Sequence, residues 1–146
     1  MNFDFMTSIF LFYDKNTSIN DKSIIDNEVS NTPLTYGTGK ILEELNYETA
    51  NSKIKIQTSD KKEDIRITYN FDDNNVNLIN QIEIIANGDA NVIIEYKSQT
   101  SQKCLHNGII RAIANENAKL NVTIVNLLNE QSENFEAIEN KLEENS

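Results

Sequence analysis

The hydrophobic pattern of this chain repeats one unit at a regular spacing. A β-type run, a polar turn that closes on Ala, and a second run with alternating apolar residues occur in residues 85–94 and again in residues 113–122. The offset between the copies is 28 in sequence number. The aligned pairs are Ala86 with Ala114, Ala90 with Ala118, and Ile94 with Val122. A fixed period of this length is typical of stacked supersecondary units, which bury their apolar faces against one another.

The repeat continues in both directions with weaker similarity. Upstream, an offset of 27 aligns Ile65 with Val92 and Ile67 with Ile94. Downstream, an offset of 28 aligns Ile110 with Ile138, Ala114 with Leu142, and Ala118 with Ser146. We therefore expect an incomplete solenoid with few coils, whose fourth unit stops at its turn and leaves an open end.

From residue 52 onward, apolar and polar residues alternate in short runs, with Gly, Asn and Asp clustered between the runs. This pattern is typical of strands that bury one face and are joined by turns. The predicted strands are 53–58, 65–70, 76–79, 81–86, 91–97, 103–106, 108–114 and 119–127. The fold class is therefore all-β. A parallel β-helix fits the regular repeat best, and an antiparallel β-sandwich is the alternative.

The residues before the repeat carry different patterns. Residues 14–33 are rich in Asn, Ser, Asp and Lys, so we expect loop or disorder and no regular structure there. Further along, Ile41, Leu42 and Leu45 form an apolar stripe at helical spacing. This stripe predicts a short helix within residues 34–50, which would lie across the first coil as a lid.

The last residues fit two structures. Phe135, Ile138 and Leu142 are spaced as on one face of a helix, and Ser132 is suited to cap its first turn. The repeat instead makes residues 134–140 a strand that is followed by a turn. A complete repeat favours the strand, whereas in a truncated chain the helix is competitive, so the sequence leaves both structures open.

Composition bounds the domain organisation and the partners. At 146 residues one domain is expected, with an N-terminal segment at 1–33 and a partial β-helix core at 34–146. The net charge is −10, and the stretch 129–146 holds six Glu against one Lys. Such a chain repels phosphate backbones and anionic lipids, so neither nucleic acid nor a membrane is an expected partner.

The beginning of the chain and its cysteine content predict the compartment. Residues 1–13 contain the apolar run 9–13, but they carry no Lys or Arg and are too few to cross a bilayer. We interpret this run as a first strand or a covering segment of the core. The single Cys has no internal disulfide partner, which fits a reducing compartment. The protein is therefore expected to be cytoplasmic.

Several of the predicted strands and turns carry a resemblance to a known family. The residues concerned are 65–69 (IRITY), 80–84 (NQIEI), 90–98 (ANVIIEYKS), 106–108 (HNG) and 116–121 (ENAKLN). Residues from about 53 to 146, roughly two thirds of the chain, resemble the first part of the core of the SufB/SufD family. This family belongs to the SUF system of iron–sulfur cluster assembly.

The resemblance implies a fold and a role. The family fold is a right-handed parallel β-helix, which the repeat indicates independently. The implied role is a non-catalytic scaffold that pairs with a SufB/SufD-type chain, or with a second copy, and docks a SufC-type ABC ATPase. The family's cluster-assembly Cys and His, its dimerisation strands and its ATPase-docking segment lie further along and have no counterpart here. No functional residue is therefore transferred, and any iron–sulfur cluster would belong to the full complex, because the chain alone is expected to bind no cofactor.

A second function from a different class needs no metal chemistry. A generic β-solenoid module would bind another protein or associate with itself through its open coil edge. Oligomers that form without an ATPase or iron would favour this alternative. Co-purification with a SufC-type ATPase would favour the scaffold.

The one Cys and the one His, Cys104 and His106, are the candidates for a metal or cluster site. Residues two apart on a strand face the same side, and a thiolate with an imidazole can begin such a site. A closed site needs about four ligands. A buried Cys with a His beside a turn at residues 107–108 is therefore the simpler interpretation. No catalytic residue is predicted, because no group is identified that would orient the His.

Two polar motifs have structural interpretations. Residues 36–40 (YGTGK) lack the first Gly of a phosphate-binding loop, and Ile41 stands where Ser or Thr would bind magnesium, so they predict a turn into the helix. Residues 72–75 (DDNN) do not follow the spacing of a calcium loop. They predict a solvated turn.

Overall fold

The computed structural model of the protein describes residues 17–19, 25, 26 and 29 and the stretch 39–146. The elements are β1 (Thr17–Ile19), β2 (Ile25–Asp26), α1 (Lys40–Thr49), β3 (Ser52–Gln57), β4 (Glu63–Phe71), β5 (Asn77–Ala86), β6 (Asp89–Ser98), β7 (Leu105–Ala114), β8 (Lys119–Leu127) and β9 (Glu133–Leu142). Residues 1–13, with their apolar run, lie outside the described residues. No helix among those described is long and apolar enough to cross a membrane.

The strands wind into a parallel β-helix of about three turns. Sheet A has the order β1-β4-β6-β8, and sheet B has the order β2-β3-β5-β7-β9. From β3 onward, neighbouring strands within each sheet are parallel, so each coil gives one strand to each sheet. Side chains alternate along a strand, so every second residue points into the space between the sheets. The expected parallel β-helix is confirmed, and the antiparallel sandwich was the wrong alternative.

Two short strands cover part of the first coil's edge. β1 pairs antiparallel with β4, and Ser18 lies opposite Thr68. β2 pairs antiparallel with β3, and Asp26 lies opposite Lys55. The expectation of no regular structure in residues 14–33 was therefore wrong for β1 and β2. A strand that is added to an open edge gains its backbone hydrogen bonds from that edge, so its own sequence need not alternate.

The 28-residue offset holds throughout the parallel part of sheet B. Ala86 pairs with Ala114, and Ala114 pairs with Leu142. Ile110 pairs with Ile138, as the repeat predicted. Because the offset is constant, like residues stack in columns along the solenoid axis.

Sheet A departs from that offset. The offset of 27 between β4 and β6 is confirmed, since Ile65 pairs with Val92 and Ile67 with Ile94. Between β6 and β8 the offset is 30, so Ala90 pairs with Leu120 and Ile94 with Ile124. The predicted pairs of Ala90 with Ala118 and Ile94 with Val122 were therefore wrong by two residues.

A longer turn explains this shift. Two residues, 87–88, join β5 to β6, whereas four residues, 115–118, join β7 to β8. Asn117 in the longer turn has φ 61°, in the left-handed region that Asn tolerates. A shift by two leaves the inward and outward faces of a strand unchanged. Ala86, Ala90 and Ala118 consequently still pack together at one corner.

Strands β5 and β7 are each continuous where the sequence predicted two strands with a break. The predicted breaks fell at Asn80 and Asn107, because Asn usually marks a turn. Both strands run through these positions without interruption. The side chain of Asn80 instead points inward as a polar core residue, and the absence of a side chain at Gly108 leaves room for it.

Helix α1 lies on the outer face of sheet B, against β5 and β7. Its buried residues are Leu42 and Asn46. The Asn46 Nδ2 donates to the carbonyl oxygens of Asn80 at 3.1 Å and Asn107 at 3.0 Å. The Asn107 Nδ2 donates in return to the carbonyl oxygen of Leu42 at 2.8 Å. These reciprocal bonds fix the helix to two consecutive coils.

The predicted apolar stripe of the helix was wrong in part. Leu42 is buried and Leu45 is half-buried, but Ile41 is 74% exposed. The helix instead faces the sheet with Leu42 and Asn46, which are four residues apart. Asn46 can donate hydrogen bonds to the carbonyl groups of the strands, which an aliphatic side chain could not do. The helix therefore covers a side of the solenoid and is not a lid on its first coil.

The chain's last element is the strand β9, as the repeat favoured over a helix. Its Ile138 continues a column of inward isoleucines that also includes Ile54, Ile82 and Ile110. The first three are buried, and Ile138 at the end of the column is 40% exposed.

Ile82→Ala tests the importance of this column. The substitution removes three buried carbons from a side chain that is 1% exposed, so we expect the free energy of unfolding to fall by about 2–5 kcal/mol. Ile41→Ala is the matched control, and its expected effect is within about 0.5 kcal/mol. Urea unfolding followed by circular dichroism measures both. Equal losses for the two variants would contradict the assignment of inside and outside.

Candidate functional site

Five polar side chains at inward positions of their strands form a line of hydrogen bonds that runs from the buried core to the last strand, where Glu136 is half-buried and Asn134 is exposed. We call them the polar core chain, and its members are Asn80, Tyr96, His106, Asn134 and Glu136. They come from β5, β6, β7 and β9, so they span three successive coils. Each occupies an inward position of its strand, where the alternating pattern elsewhere places aliphatic residues.

The polar core chain is unbranched and runs from Asn134 through His106, Asn80 and Tyr96 to Glu136. Asn80 Oδ1 lies 2.8 Å from Nε2 of His106, and the other ring nitrogen, Nδ1, contacts the side-chain amide of Asn134. Asn80 Nδ2 donates to the hydroxyl of Tyr96 at 3.3 Å. That hydroxyl donates to Oε1 of Glu136 at 2.8 Å. The interior polar groups thereby supply partners for one another, which offsets much of the cost of burying them.

Aromatic rings stack beside these hydrogen bonds. Tyr69 and Tyr96 lie in register on neighbouring strands, and their ring centroids are 5.5 Å apart with planes 9° from parallel. The ring of His106 lies 3.9 Å from that of Tyr96. The hydroxyl of Tyr69 contacts the Ser52 hydroxyl at 3.3 Å. The stacking holds the His and Tyr rings in fixed positions.

Gly108 provides the space that His106 occupies. It lies between Asn80 and Glu136 in the same column of sheet B. A Cβ at this position would lie 2.7 Å from His106 Nε2 and 2.8 Å from Asn80 Oδ1. Real Cβ atoms do not approach so closely. A glycine is therefore required here by close approach and not by a turn.

Burial determines the protonation state of His106. Burial lowers the pKa of His106 to about 4, and the contact with Asn134 opposes the shift. At neutral pH the ring is uncharged and donates one hydrogen bond, although an amide oxygen faces each nitrogen. Asn80 is oriented by its bond to Tyr96, so the ring donates from Nε2 to Asn80. The exposed amide of Asn134 can then turn its NH₂ group toward Nδ1.

Glu136 is the group of the polar core chain that can exchange a proton near neutral pH. Burial raises the pKa of Glu136 to about 7, and the hydrogen bond from Tyr96 opposes the shift. Burial also raises the pKa of Tyr69 to about 12 and that of Tyr96 well above its ordinary value. Both tyrosines therefore stay protonated, and the Tyr96 hydroxyl remains a donor to the carboxyl group.

The predicted metal candidates, Cys104 and His106, both lie fully buried inside the solenoid. Cys104 packs in the hydrophobic core, and its Sγ lies 3.6 Å from the hydroxyl of Ser98 and from the carbonyl oxygen of Gln102. A metal bound through His106 would displace one of its two amide contacts. The part of the chain that the structure describes contains no group of three or more His, Cys, Asp or Glu residues arranged to hold a metal ion.

His106 differs from its simpler interpretation as a residue beside a turn. It is the second residue of β7, and its ring points into the core. The expected turn at residues 107–108 does not form, because Asn107 faces outward to bond α1 and Gly108 accommodates the ring. Cys104 is a buried cysteine, as expected.

The two polar motifs occupy turns where they are described. Asp72 Oδ1 accepts hydrogen bonds from the backbone N–H of Asn74 at 2.9 Å and from Asn75 Nδ2 at 3.0 Å, so residues 72–75 close a turn on themselves. The helix begins at Lys40, directly after Gly39 with φ 98°. Residues 36–38 of the YGTGK motif lie outside the described residues.

The sequence analysis missed most of the polar core chain. It named His106 but not Asn80, Tyr96, Asn134 or Glu136. One signal was present, because Asn80, Gly108 and Glu136 recur at the 28-residue period and interrupt the inward apolar alternation along their strands. Polar residues at inward positions of a repeat therefore mark a buried network, which must be hydrogen-bonded to be tolerated.

The second notable feature is a groove at the carboxyl end of the solenoid, which we call the coil-end groove. It has a volume of about 210 Å³. Its lining residues are Ala112, Ala114, Leu120, Val122, Ile124, Ile138, Asn140 and Leu142. The groove lies between the inward faces of β8 and β9, which are the last strands of the two sheets. Its chemistry is mainly aliphatic, so it suits apolar side chains.

Comparison with known proteins gives no relative. No protein-family model matches the chain, no curated protein matches it, and no solved structure matches it. The geometry of the described residues is therefore the basis for assigning a function.

The raised pKa of Glu136 predicts a specific pH dependence of stability. The folded protein binds a proton on Glu136 up to pH about 7, whereas the unfolded chain releases it near the ordinary value of 4.5. The stabilisation that this proton confers is therefore complete below pH 4.5 and is lost as pH rises through 7. Glu136→Gln stays neutral, so at pH 8 the variant should be more stable than the wild type by about 1–2 kcal/mol, after allowance for partial exposure.

Urea unfolding at several pH values from 4 to 8 tests this expectation. The advantage of Glu136→Gln should shrink toward acid pH, where the wild-type carboxyl group is also neutral. Glu144→Gln removes one exposed carboxylate and is the matched control for net charge. An advantage that is independent of pH would contradict the assignment.

Gly108→Ala tests the close approach around His106. The added methyl group must displace the ring or Asn80, so we expect a loss of about 1–3 kcal/mol in the free energy of unfolding. In a His106→Ala background the same substitution should cost clearly less, because the ring that it meets is gone. A double-mutant cycle measures this coupling. Additive losses would show that the two positions do not interact.

Proposed function

We propose that the protein is a non-catalytic scaffold subunit in iron–sulfur cluster assembly, which pairs with a SufB/SufD-type chain and a SufC-type ATPase. The observation that carries the proposal is the parallel β-helix formed by β3 to β9, because this is the fold that the family resemblance implies. The resembling stretches at 80–84, 90–98 and 106–108 lie on the consecutive strands β5, β6 and β7. They therefore form one continuous part of the solenoid.

The interior of the solenoid supports a scaffold role. The rings and amides of the polar core chain hydrogen-bond to one another across coils, and the absence of a side chain at Gly108 leaves room for His106 and Asn80. Such an arrangement gives a rigid support on which partner surfaces can be held at fixed distances. In this proposal the chain binds no cofactor by itself, and an iron–sulfur cluster belongs to the complete assembly.

The proposal includes a cytoplasmic location. The single cysteine is buried in the hydrophobic core and fits a reducing compartment. The net charge of −10 disfavours nucleic acid and anionic membranes as partners. Protein surfaces are then the expected binding partners.

A generic β-solenoid binding module is the second candidate function. The open carboxyl end favours it, since Leu127 is 53% exposed and Leu142 is 69% exposed there. A module of this kind would associate with itself or with another protein regardless of any ATPase. The two functions differ in whether a SUF-type partner is required.

Co-expression tests the scaffold function. We expect the tagged chain to co-purify with a SufC-type ATPase and a SufB/SufD-type chain and to elute with them as one complex of defined mass in light scattering. Gly108→Ala, checked for its degree of folding by circular dichroism, shows how far the interaction depends on the intact solenoid. A folded, monodisperse wild-type chain that binds neither partner would contradict the proposal. Homo-oligomers that form without these partners would favour the generic module.

A further inference from the structure

A column of alternating charges runs along the outer face of sheet B. In register, Lys55 lies beside Glu83, Glu83 beside Arg111, and Arg111 beside Glu139. Lys55 Nζ lies 3.8 Å from Glu83 Oε1, and Arg111 Nε lies 3.6 Å from Glu139 Oε2. Each coil therefore offers a charge opposite to that of its neighbours. The column ends in the carboxylate of Glu139 on the edge strand β9.

An apolar column ends at the same edge. The neighbouring inward positions carry Ile54, Ile82, Ile110 and Ile138. Ile138 is 40% exposed and Leu142 is 69% exposed, and both line the coil-end groove. A further strand beside β9 would place its inward side chains in this groove and its outward side chains beside Glu139.

The two ends of sheet B differ in how they are covered. At the first coil, β2 pairs with β3 and places Asp26 opposite Lys55. At the last coil, no strand within the described residues pairs with the outer edge of β9. The backbone N–H and C=O groups along that edge are therefore a template for another strand.

We propose that the free edge of β9 binds one extended segment of a partner protein, in which a Lys or Arg stands between two aliphatic residues. The cation lies beside Glu139 and continues the alternation of charge. The aliphatic residues pack over Ile138 and into the coil-end groove. The backbone ladder supplies affinity and the alternating side chains supply selectivity, as in other cases of strand addition.

The charge of the last coil supports a basic occupant. Residues 129–146 hold six Glu and one Lys. Glu130 and Glu144 are exposed and make no ion pair with any residue that the structure describes. An acidic segment would be repelled from this face, whereas a basic segment would be attracted to it.

A second copy of this chain is a poorer occupant than a partner. Strands with a cation between two isoleucines, such as β3 with Lys55 and β4 with Arg66, already pair with a neighbour on both sides. The carboxyl ends of two copies would place one acidic coil against another.

The docking of a basic strand deepens the proposed scaffold function, because it names the surface on which a partner would bind. It can be tested without any SUF protein.

A short peptide serves as the probe. A fluorescent peptide with the sequence of residues 50–59 (ANSKIKIQTS) contains the required Ile-Lys-Ile pattern. Anisotropy titration of the full chain should show saturable binding that weakens as salt is added. The peptide ANSEIEIQTS, with both lysines replaced by Glu, should bind at least about tenfold more weakly. Equal affinity for the two peptides would overturn the proposal.

A charge exchange locates the binding position. Glu139→Lys should weaken binding of the lysine peptide and strengthen binding of the glutamate peptide, each by about tenfold. Glu144→Lys makes the same change of charge outside the column, and its expected effects are below about threefold. If both variants act alike, the effect is general charge attraction and the column plays no part, which overturns the proposal.

A second variant separates docking from folding. Leu142 is largely exposed, so Leu142→Asn should leave the unfolding transition unchanged and still weaken the lysine peptide by removing apolar contact in the groove. Amide NMR shifts on peptide addition should concentrate in β9. Shifts elsewhere, or a stable dimer of the free chain in light scattering that protects the β9 amides, would overturn the proposal. These assays contain no SufC-type or SufD-type chain. If the peptide fails to bind, the docking proposal is contradicted, and the co-purification test of the scaffold function is unaffected.

Discussion

The parallel hydrogen-bond ladder is the constraint on which the rest of this structure depends. Because the strands from β3 to β9 pair with one another in parallel within each sheet, each residue lies beside the equivalent residue of the next coil. A side chain therefore cannot be placed without regard to the one above it and the one below it. Isoleucines stack on isoleucines, Tyr69 stacks on Tyr96, and opposite charges alternate on the outer face.

The same constraint explains why a polar network is tolerated in so small a core. Asn80, Gly108 and Glu136 share one column, and His106 fills the space that Gly108 leaves. The network is closed by hydrogen bonds among its own members, so burying it costs less than burying isolated amides. Its one titratable group near neutral pH, Glu136, lies on the edge strand β9.

The two ends of the solenoid differ in how far their strand edges are covered. The first coil is covered in part by the short antiparallel strands β1 and β2, while β8 and β9 have open outer edges among the described residues. An open edge with exposed Ile138 and Leu142 favours association. The proposed docking of a basic strand follows from this feature, whereas the proposed scaffold function rests on the parallel β-helix as a whole. They differ in the chemistry of the partner that they require.

The sequence by itself determined the fold class, the position of most strands and the 28-residue register of sheet B, because alternation and repetition are properties of the chain alone. It left β9 undecided between a strand and a helix. Only the tertiary structure decided the register of sheet A, since the four-residue turn before β8 shifts it by two. It likewise decided that Asn46 and not Ile41 faces the sheet, and that Asn80 and Asn107 lie within strands. These outcomes depend on which side chains and backbone groups meet across coils. The type of a residue does not reveal which group on another coil will be its hydrogen-bonding or packing partner.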